Sequence, residues 1–477
     1  MVGRKKEVAE LNELYDDGRA EFVAIYGRRR VGKTYLVDET MSGRITFRHT
    51  GLSPIEGGSL NKSPTKAQLQ AFYYSLKRQG MVGHCPKDWQ EAFFMLEMLL
   101  EQKDTGERQV VFIDELPWLD TARSGFITGL EAFWNGWACH RKNFMLIVCG
   151  SASSWIRDKL INNHGGLYNR VTREIKLEPF SLCECELLLR DRGVSLSRYD
   201  IAQSYMILGG IPYYLNYLAR GKSLAQSIDE LFFAGNAVLR SEYDRLFSSA
   251  FTNPELMKKI VEFLSTKSGG FSRRELVKGA CIPDGGMLSD AISSLIACDF
   301  ITKYVPFALG KREEHYKLVD PFCIFYLRFV KNADAMNAAF WLENVNAPAV
   351  AAFRGYAFEN VCFNHIRQIK AALEIGGVST RQSAWSKTDA DKGGTQIDLI
   401  IERRDNIVNM CEIKFCGSVF SVDKSYDMVL RHRQSVLAEE LSPKMAIHNT
   451  LITTFGLKSN EYSGIFPSVI TLDDLFK

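Results

Sequence analysis

No stretch of this sequence approaches the roughly 18 consecutive apolar residues that a membrane-spanning helix requires. Repeats and low-complexity segments are lacking as well, which excludes a solenoid or a disordered scaffold. An excess of one charge is also missing. The 59 Lys and Arg against 56 Asp and Glu leave a net charge of +3. That neither demands nucleic acid nor argues against it, because a basic groove can be offset by acidic surface elsewhere. Zinc-site spacing is absent among the 11 cysteines: Cys183-x-Cys185 and the pair Cys411 and Cys416 have no histidine nearby. The odd count, with cysteines inside apolar runs such as Ile147-Val148-Cys149 and Phe322-Cys323-Ile324, predicts buried free thiols in a reducing compartment. No apolar leader follows Met1-Val2-Gly3-Arg4-Lys5-Lys6, so a cytosolic location without membrane contact is expected.

What is present is an ordinary globular composition, 46% hydrophobic and 24% charged, in a chain of 477 residues. That length exceeds one ordinary core and predicts roughly two to four domains. Glu7 to Leu14 has helical spacing. Phe22 to Tyr26 is a short β-prone run, followed at once by Gly27-Arg28-Arg29-Arg30-Val31-Gly32-Lys33-Thr34 and by a helical segment from Thr34 to Glu39. Val110 to Ile113 and Phe144 to Val148 are continuous apolar runs, as expected of strands covered by helices on both faces. Trp89 to Glu101 and Ile127 to Trp137 read as helices, and about 181–233 as an apolar helical lid beside a nucleotide. The expected fold is therefore α/β: a P-loop parallel sheet with a helical lid in 1–235.

Strand, glycine loop and helix in that order is the context a phosphate-binding loop needs. The glycines let backbone N–H groups turn inward, Lys33 reaches the β- and γ-phosphates of ATP, and Thr34 offers a hydroxyl to Mg²⁺. Asp114, at the end of an apolar strand, is placed to hold Mg²⁺ through water, and Glu115 to polarise the attacking water. Ser151 is either a γ-phosphate sensor or a helix cap. Arg170 is either an arginine finger, commonly supplied by a neighbouring subunit, or a surface salt-bridge residue.

With these residues in place the chain resembles the AAA-type ATPases of the archaeal-ATPase family, in the STAND and Cdc6-like branch and the form abundant in Bacteroidetes. The matching stretches are Val2-Gly3-Arg4, the phosphate loop, Asp114 to Trp118, Gly150-Ser151, Gly166 to Arg170 and Gly209 to Tyr214. The resemblance implies that Gly3 and Arg4 lie near the adenine, that the turn with Pro212 approaches the nucleotide, and that the protein forms a homo-oligomer.

Further along, Leu256 to Leu264 is helical, Ser272 and Glu275 form a capping box, and a turn at Pro283 to Gly286 precedes a helix Met287 to Ala297. Phe300 to Tyr304 and Glu314 to Leu318 then read as a hairpin. Three short helices and a hairpin over 236–335 is a winged-helix pattern. The third helix is poor in lysine and arginine, and the basic residues are Arg273, Arg274, Lys278, Lys311 and Arg312. The unit either touches DNA phosphates or serves only as a packing module. Asn332 to Pro348 reads as a connection.

The unit at 345–477 opens with a helix, Gly355 to Lys370, followed by strands Ile397 to Ile401, Ile407 to Lys414 and Lys444 to Ile447. Strand alternation points Glu412 and Lys414 to one face, with Asp398 on the neighbouring strand. Two carboxylates and a lysine so placed can bind Mg²⁺ or Mn²⁺ and activate water beside a phosphodiester. Glu359 on the helix supplies another carboxylate, and Gln396 is expected to line the site as well. This set resembles the PD-(D/E)XK nuclease superfamily, in a domain of the DUF234 type, with Ile397 where the name-giving motif has proline. Cleavage of DNA, or binding of DNA or protein without cleavage, are the two functions that follow.

Overall fold

Strands with no polar side must be covered on both faces, and three of them form the middle of a parallel sheet. In the computed structural model, which describes residues 1–53, 63–307, 313–334, 337–387 and 395–477, β1 (Glu21–Tyr26), β3 (Gln109–Asp114) and β4 (Phe144–Gly150) are buried at every residue. With β2 (Ile45–Thr50) and β5 (Arg173–Lys176) they form a sheet of order β2-β3-β4-β1-β5, parallel throughout. The helices Pro64–Arg78, Trp89–Gln102 and Phe126–Gly136 cover it through an aromatic core. Phe93 stacks on Phe133 at 5.3 Å, and Trp89 meets Phe126 edge-on at 4.9 Å. Ser63 and Asp88 cap the first two of these helices.

By packing, the chain falls into two compact units. The first comprises Met1–Pro179 with Asp244–Met257 and Ser289–Asp299. The second comprises Phe180–Tyr243, Lys258–Leu288 and Phe300–Lys477. The expected lid is helical, with Leu182–Asp191, Arg198–Leu208, Pro212–Leu215 and Leu224–Phe232, and it packs as part of the second unit.

Three helices and a hairpin appear in the expected order: Pro254–Leu264, Arg273–Gly279 behind a Ser272–Glu275 capping box, Gly286–Ala297, and the hairpin. The strands β6 (Phe271–Ser272), β7 (Ile301–Tyr304) and β8 (His315–Leu318) form a sheet of order β6-β8-β7, antiparallel at both pairings. Lys311 and Arg312 lie outside the described residues. The expected connection contains a helical turn, Phe340–Asn344. Its Trp341 and Leu342 N–H groups donate to the Asp229 carboxylate at 2.7 and 3.0 Å.

The last sheet is mixed. It runs β13 (Ser468–Thr471), β12 (Ala446–Thr453), β11 (Ile407–Lys414), β10 (Thr395–Arg403), β9 (Thr380–Lys387). β9, β10 and β11 are antiparallel neighbours, whereas β12 and β13 run parallel to β11. A helix Lys424–Glu439 connects β11 to β12. Two expectations shift here. The strand begins at Ala446, opposite Ile407, not at Lys444. The expected helix Gly355 to Lys370 is two helices, Pro348–Asn364 and Ile366–Ala372. His365 stands between them (φ −111°), and its buried ring accepts a hydrogen bond from Leu182 N–H at 2.9 Å, at the start of the helix Leu182–Asp191. Among the described residues no helix is long and apolar enough to cross a membrane, and the cysteines are free thiols.

Candidate functional site

The phosphate loop begins where β1 ends. Gly27 has φ +144°, and a Cβ there would stand 2.3 Å from the Leu177 carbonyl oxygen, so only glycine fits. The loop closes through left-handed Arg30 (φ 71°) and Gly32 (φ 94°), which starts the helix Lys33–Thr40. Lys33 is buried, and its Nζ donates to the carbonyls of Gly27 and Arg28 at 3.0 and 3.1 Å. Val31 and Arg28 are buried, while Arg29 and Arg30 are partly exposed. Arg4, also left-handed, donates from Nη2 to the Val31 carbonyl at 3.2 Å. Gly3 lines a shallow groove with Lys5, Val8, Asn12, Glu39 and Thr40.

Parallel pairing of β3 with β4, and of β4 with β1, brings the strand ends together at the C-terminal edge of the sheet. Thr34 Oγ1 donates to Asp114 Oδ2 at 2.8 Å. Asp114 Oδ1 accepts from the Glu115 N–H at 2.9 Å and from the Cys149 thiol at 2.7 Å. Burial, and then the adjacent Asp114 carboxylate, push the Cys149 thiol well above its ordinary range, so it stays a neutral donor. A hydroxyl and a carboxylate in contact are hard oxygen donors, the set that suits Mg²⁺. Glu115 is itself left-handed (φ 47°), and its Oε2 accepts from Ser151 N–H at 3.0 Å and Ser151 Oγ at 2.9 Å. Ser151 therefore orients Glu115. Arg170 is exposed. Pro212 starts the short helix Pro212–Leu215 of the second unit.

Sequence reasoning missed a further set of contacts. The segment Ser289–Asp299, expected in the winged-helix unit, packs with the nucleotide unit. Cys298 Sγ lies 3.9 Å from the Ser151 carbonyl oxygen, and Asp299 pairs with Lys176 at 2.6 Å. Burial raises the Asp299 carboxyl, against the opposing pull of Lys176 and Arg28. No spacing rule announces such contacts, because they join residues 123 and 147 positions apart.

In the second unit, Asp398, Glu412, Lys414 and Glu359 come together. Glu412 is buried and fully engaged: Oε1 meets Lys414 Nζ at 2.8 Å and the Tyr426 hydroxyl, and Oε2 meets Arg433 Nη1 at 2.7 Å. Burial alone would raise its pKa, but Lys414 and Arg433 outweigh that and lower it. The register of β10 against β9 shifts between Ile397 and Ile400. That bulge re-aims Asp398, whose Oδ2 accepts from Ile413 N–H at 3.3 Å. Burial first, and Glu412 next, push Asp398 up to about 6. Burial and the Asp398 charge push Glu359 up to about 7. Gln396 is exposed. Lys317, from β8, is buried and faces the charges of Glu359 and Asp398. Lys317, Tyr426 and Arg433 were not foreseen from sequence, since each comes from an element outside the E-x-K strand.

The two sites differ in their fit to a metal. Thr34 and Asp114 fit Mg²⁺. Among the described residues no group of three or more His, Cys, Asp or Glu side chains is arranged to hold a metal ion. Around Asp398, both Glu412 oxygens are occupied by Lys414, Tyr426 and Arg433, so this arrangement does not fit a divalent ion.

Comparison with known proteins bears on the first site. Residues 1–218 match the family described as an ATPase domain predominantly from Archaea. An uncharacterized protein of Methanocaldococcus jannaschii is 25% identical over 422 residues, covering 87% of each chain. Among solved structures, a Walker-type ATPase of Pyrococcus abyssi is similar at TM-score 0.48 and 18% identity, over 69% of this chain and 96% of that one. The ORC2 protein of Aeropyrum pernix, in ADPNP–ADP complexes, is similar at TM-score 0.43 and 12% identity, over 72% of this chain and 93% of that one. The first 218 residues are thus similar to archaeal ATPase domains, in agreement with the phosphate-loop geometry.

Proposed function

We propose that this protein binds and hydrolyses ATP at the loop 27–34 and uses that cycle to govern a C-terminal nuclease-like domain that acts on or holds DNA. The observation that carries the ATPase half is the contact of Thr34 with Asp114 beside the Ser151-held Glu115. Incoming phosphates replace the Gly27 and Arg28 carbonyls as partners of Lys33, whose charge then offsets that of the transferred phosphoryl group. Thr34 and Asp114 would hold Mg²⁺, which would supply neutralisation of the phosphate charge. Glu115 orients the attacking water and takes its proton; Ser151 keeps the carboxylate turned toward that position. Arg170, exposed, is available to a neighbouring copy in a homo-oligomer. The Pro212 turn, and Gly3 with Arg4, are assigned to the lid and adenine sides of the nucleotide. Lys33→Ala should abolish ATP hydrolysis by the purified protein, and a fully active variant would sink this half of the proposal.

The nuclease-like half rests on the order helix, three antiparallel strands, helix, parallel strand, with Glu359, Asp398 and Glu412-x-Lys414 gathered on it. A second reading, a nucleotide-dependent switch whose C-terminal domain is catalytically silent, is favoured by the full engagement of Glu412 with Lys414 and Arg433 and by Cys298 and Asp299 lying against the nucleotide unit. A cleavage assay on single- and double-stranded DNA, with Mg²⁺ or Mn²⁺ and with or without ATP, separates the two. Cutting by wild type but not by Lys414→Ala supports the nuclease. DNA left intact under every condition supports the switch.

A further inference from the structure

The turn that follows Glu115 is gripped from both sides. Leu116–Trp118 make one short helical turn, in which the Trp118 N–H donates to the Glu115 carbonyl at 3.0 Å. On the β2 side, the Gly51 N–H donates to the Asp114 carbonyl at 3.0 Å. A Cβ at Gly51 would stand 2.8 Å from the Glu115 carbonyl oxygen and 3.2 Å from the Trp118 Cβ, so the two segments meet at a distance that glycine alone allows. On the β4 side, a Cβ at Gly150 would stand 2.5 Å from Cδ of Pro117. Since β3 runs between β2 and β4, the turn at its end fills the space between the ends of its two neighbours. Ser151, directly after Gly150, holds the Glu115 carboxylate from that same side.

Gln68 ties the other side together. It lies on the face of the helix Pro64–Arg78 that also buries Leu69, Phe72 and Leu76, and it is itself only 5% exposed. An amide in such a place is costly unless its hydrogen bonds are made. Here Nε2 donates to the Leu52 and Trp118 carbonyls, both at 2.9 Å, and Oε1 accepts from the Leu52 N–H at 3.0 Å. Both amide hydrogens are thus used, and one side chain links the residue after Gly51 to the far end of the Glu115 turn. We propose that Gln68 is a positioning residue for ATP hydrolysis. Through the Trp118 carbonyl it fixes the left-handed backbone of Glu115, and with it the place from which that carboxylate acts on the attacking water. The inference rests on the ATPase reading above.

The test is a double-mutant cycle on the full-length protein, read by hydrolysis rates and by the Kd of a non-hydrolysable ATP analogue with Mg²⁺. Gln68→Met keeps the length of the side chain and removes the amide. It should lower kcat by about tenfold to a hundredfold with Kd unchanged, because the carboxylate shifts and the phosphate loop does not. On a Glu115→Gln background the same substitution should cost nothing further, since residues that act as one unit are not additive. Wild-type kcat in Gln68→Met, a weakened Kd with kcat kept, or a fall in rate that recurs in full on the Glu115→Gln background overturns the inference and leaves ATP hydrolysis standing. A wild-type protein that does not hydrolyse ATP overturns both. Should Gln68→Met fail to unfold cooperatively, Gln68→Glu goes through the same cycle. That isosteric change keeps an acceptor for the Leu52 N–H and sets a carboxylate oxygen against the Trp118 carbonyl. A lowered kcat with Kd kept supports the positioning role, and wild-type kcat overturns it.

Discussion

Glu115 occupies the left-handed region at φ 47°, a conformation that costs a residue with a Cβ roughly 1–2 kcal/mol. The surroundings hold it there: its N–H donates to Asp114, and its carboxylate takes two hydrogen bonds from Ser151. Strain held in this way at a strand end beside the phosphate loop accords with a residue positioned for chemistry. Glu115→Gln should leave ATP binding intact and lower kcat by about 10²–10⁴-fold, the usual range for a lost general base. Ser151→Ala should lower kcat less, with KM nearly unchanged, because Glu115 remains but is held by one hydrogen bond fewer. Steady-state hydrolysis rates check both, and a Glu115→Gln protein with wild-type turnover would remove Glu115 from the mechanism. The motif residues 27–34, 114 and 115 were readable from order and spacing alone. The role of Ser151 was not, because a serine after a strand is compatible with several partners until the fold brings one to it.

At the scale of elements, the sequence disclosed the strands that have no exposed side. β1, β3 and β4 are buried throughout, and the continuous apolar runs within them betray them. β2 and β5 sit at the edges, where residues such as Arg48 and Arg173 face water, and their polar composition hides them. The same holds for β9 and β13 at the edges of the mixed sheet. Edge strand β2 nonetheless carries a buried His49, 2% exposed, bonded through Nδ1 to Ser75 Oγ at 2.9 Å. Burial lowers its pKa from 6.5 to about 4. Between those values the unfolded chain binds a proton that the native state refuses, so stability is full above about pH 6.5 and falls as pH drops toward 4. The loss should amount to roughly 3 kcal/mol at about 1.4 kcal/mol per unit. His49→Gln should flatten that acid slope in denaturant unfolding measured from pH 7 to pH 4. An unchanged slope would show that another group drives it.

For the whole molecule, the phosphate loop, Asp114, Glu115 and Ser151 all belong to one compact unit, and linkage makes the proposed binding there measurable. A ligand that binds only the native state at about 100 times its Kd stabilises it by about 2.7 kcal/mol. A non-hydrolysable ATP analogue with Mg²⁺ should therefore raise the unfolding temperature of the transition that includes the phosphate-loop unit in wild type, and not in Lys33→Ala. Calorimetry reads this directly, and an equal rise in both proteins would place the nucleotide elsewhere. The segment Ser289–Asp299 packs with that unit although its neighbours in sequence do not.

The sequence by itself determined the local chemistry: the phosphate loop, the Asp114-Glu115 strand end, the capping box at Ser272, and the E-x-K alternation of Glu412 and Lys414. Each is set by periodicity, backbone freedom or capping within a few residues, where propensity and spacing act directly. Tertiary structure alone decided which charges meet. It brought Ser151 to Glu115 and the Cys149 thiol to Asp114, and it set Arg433 and Lys414 against Glu412. The energy of a charge depends on its burial and its partners, and neither exists until distant segments pack.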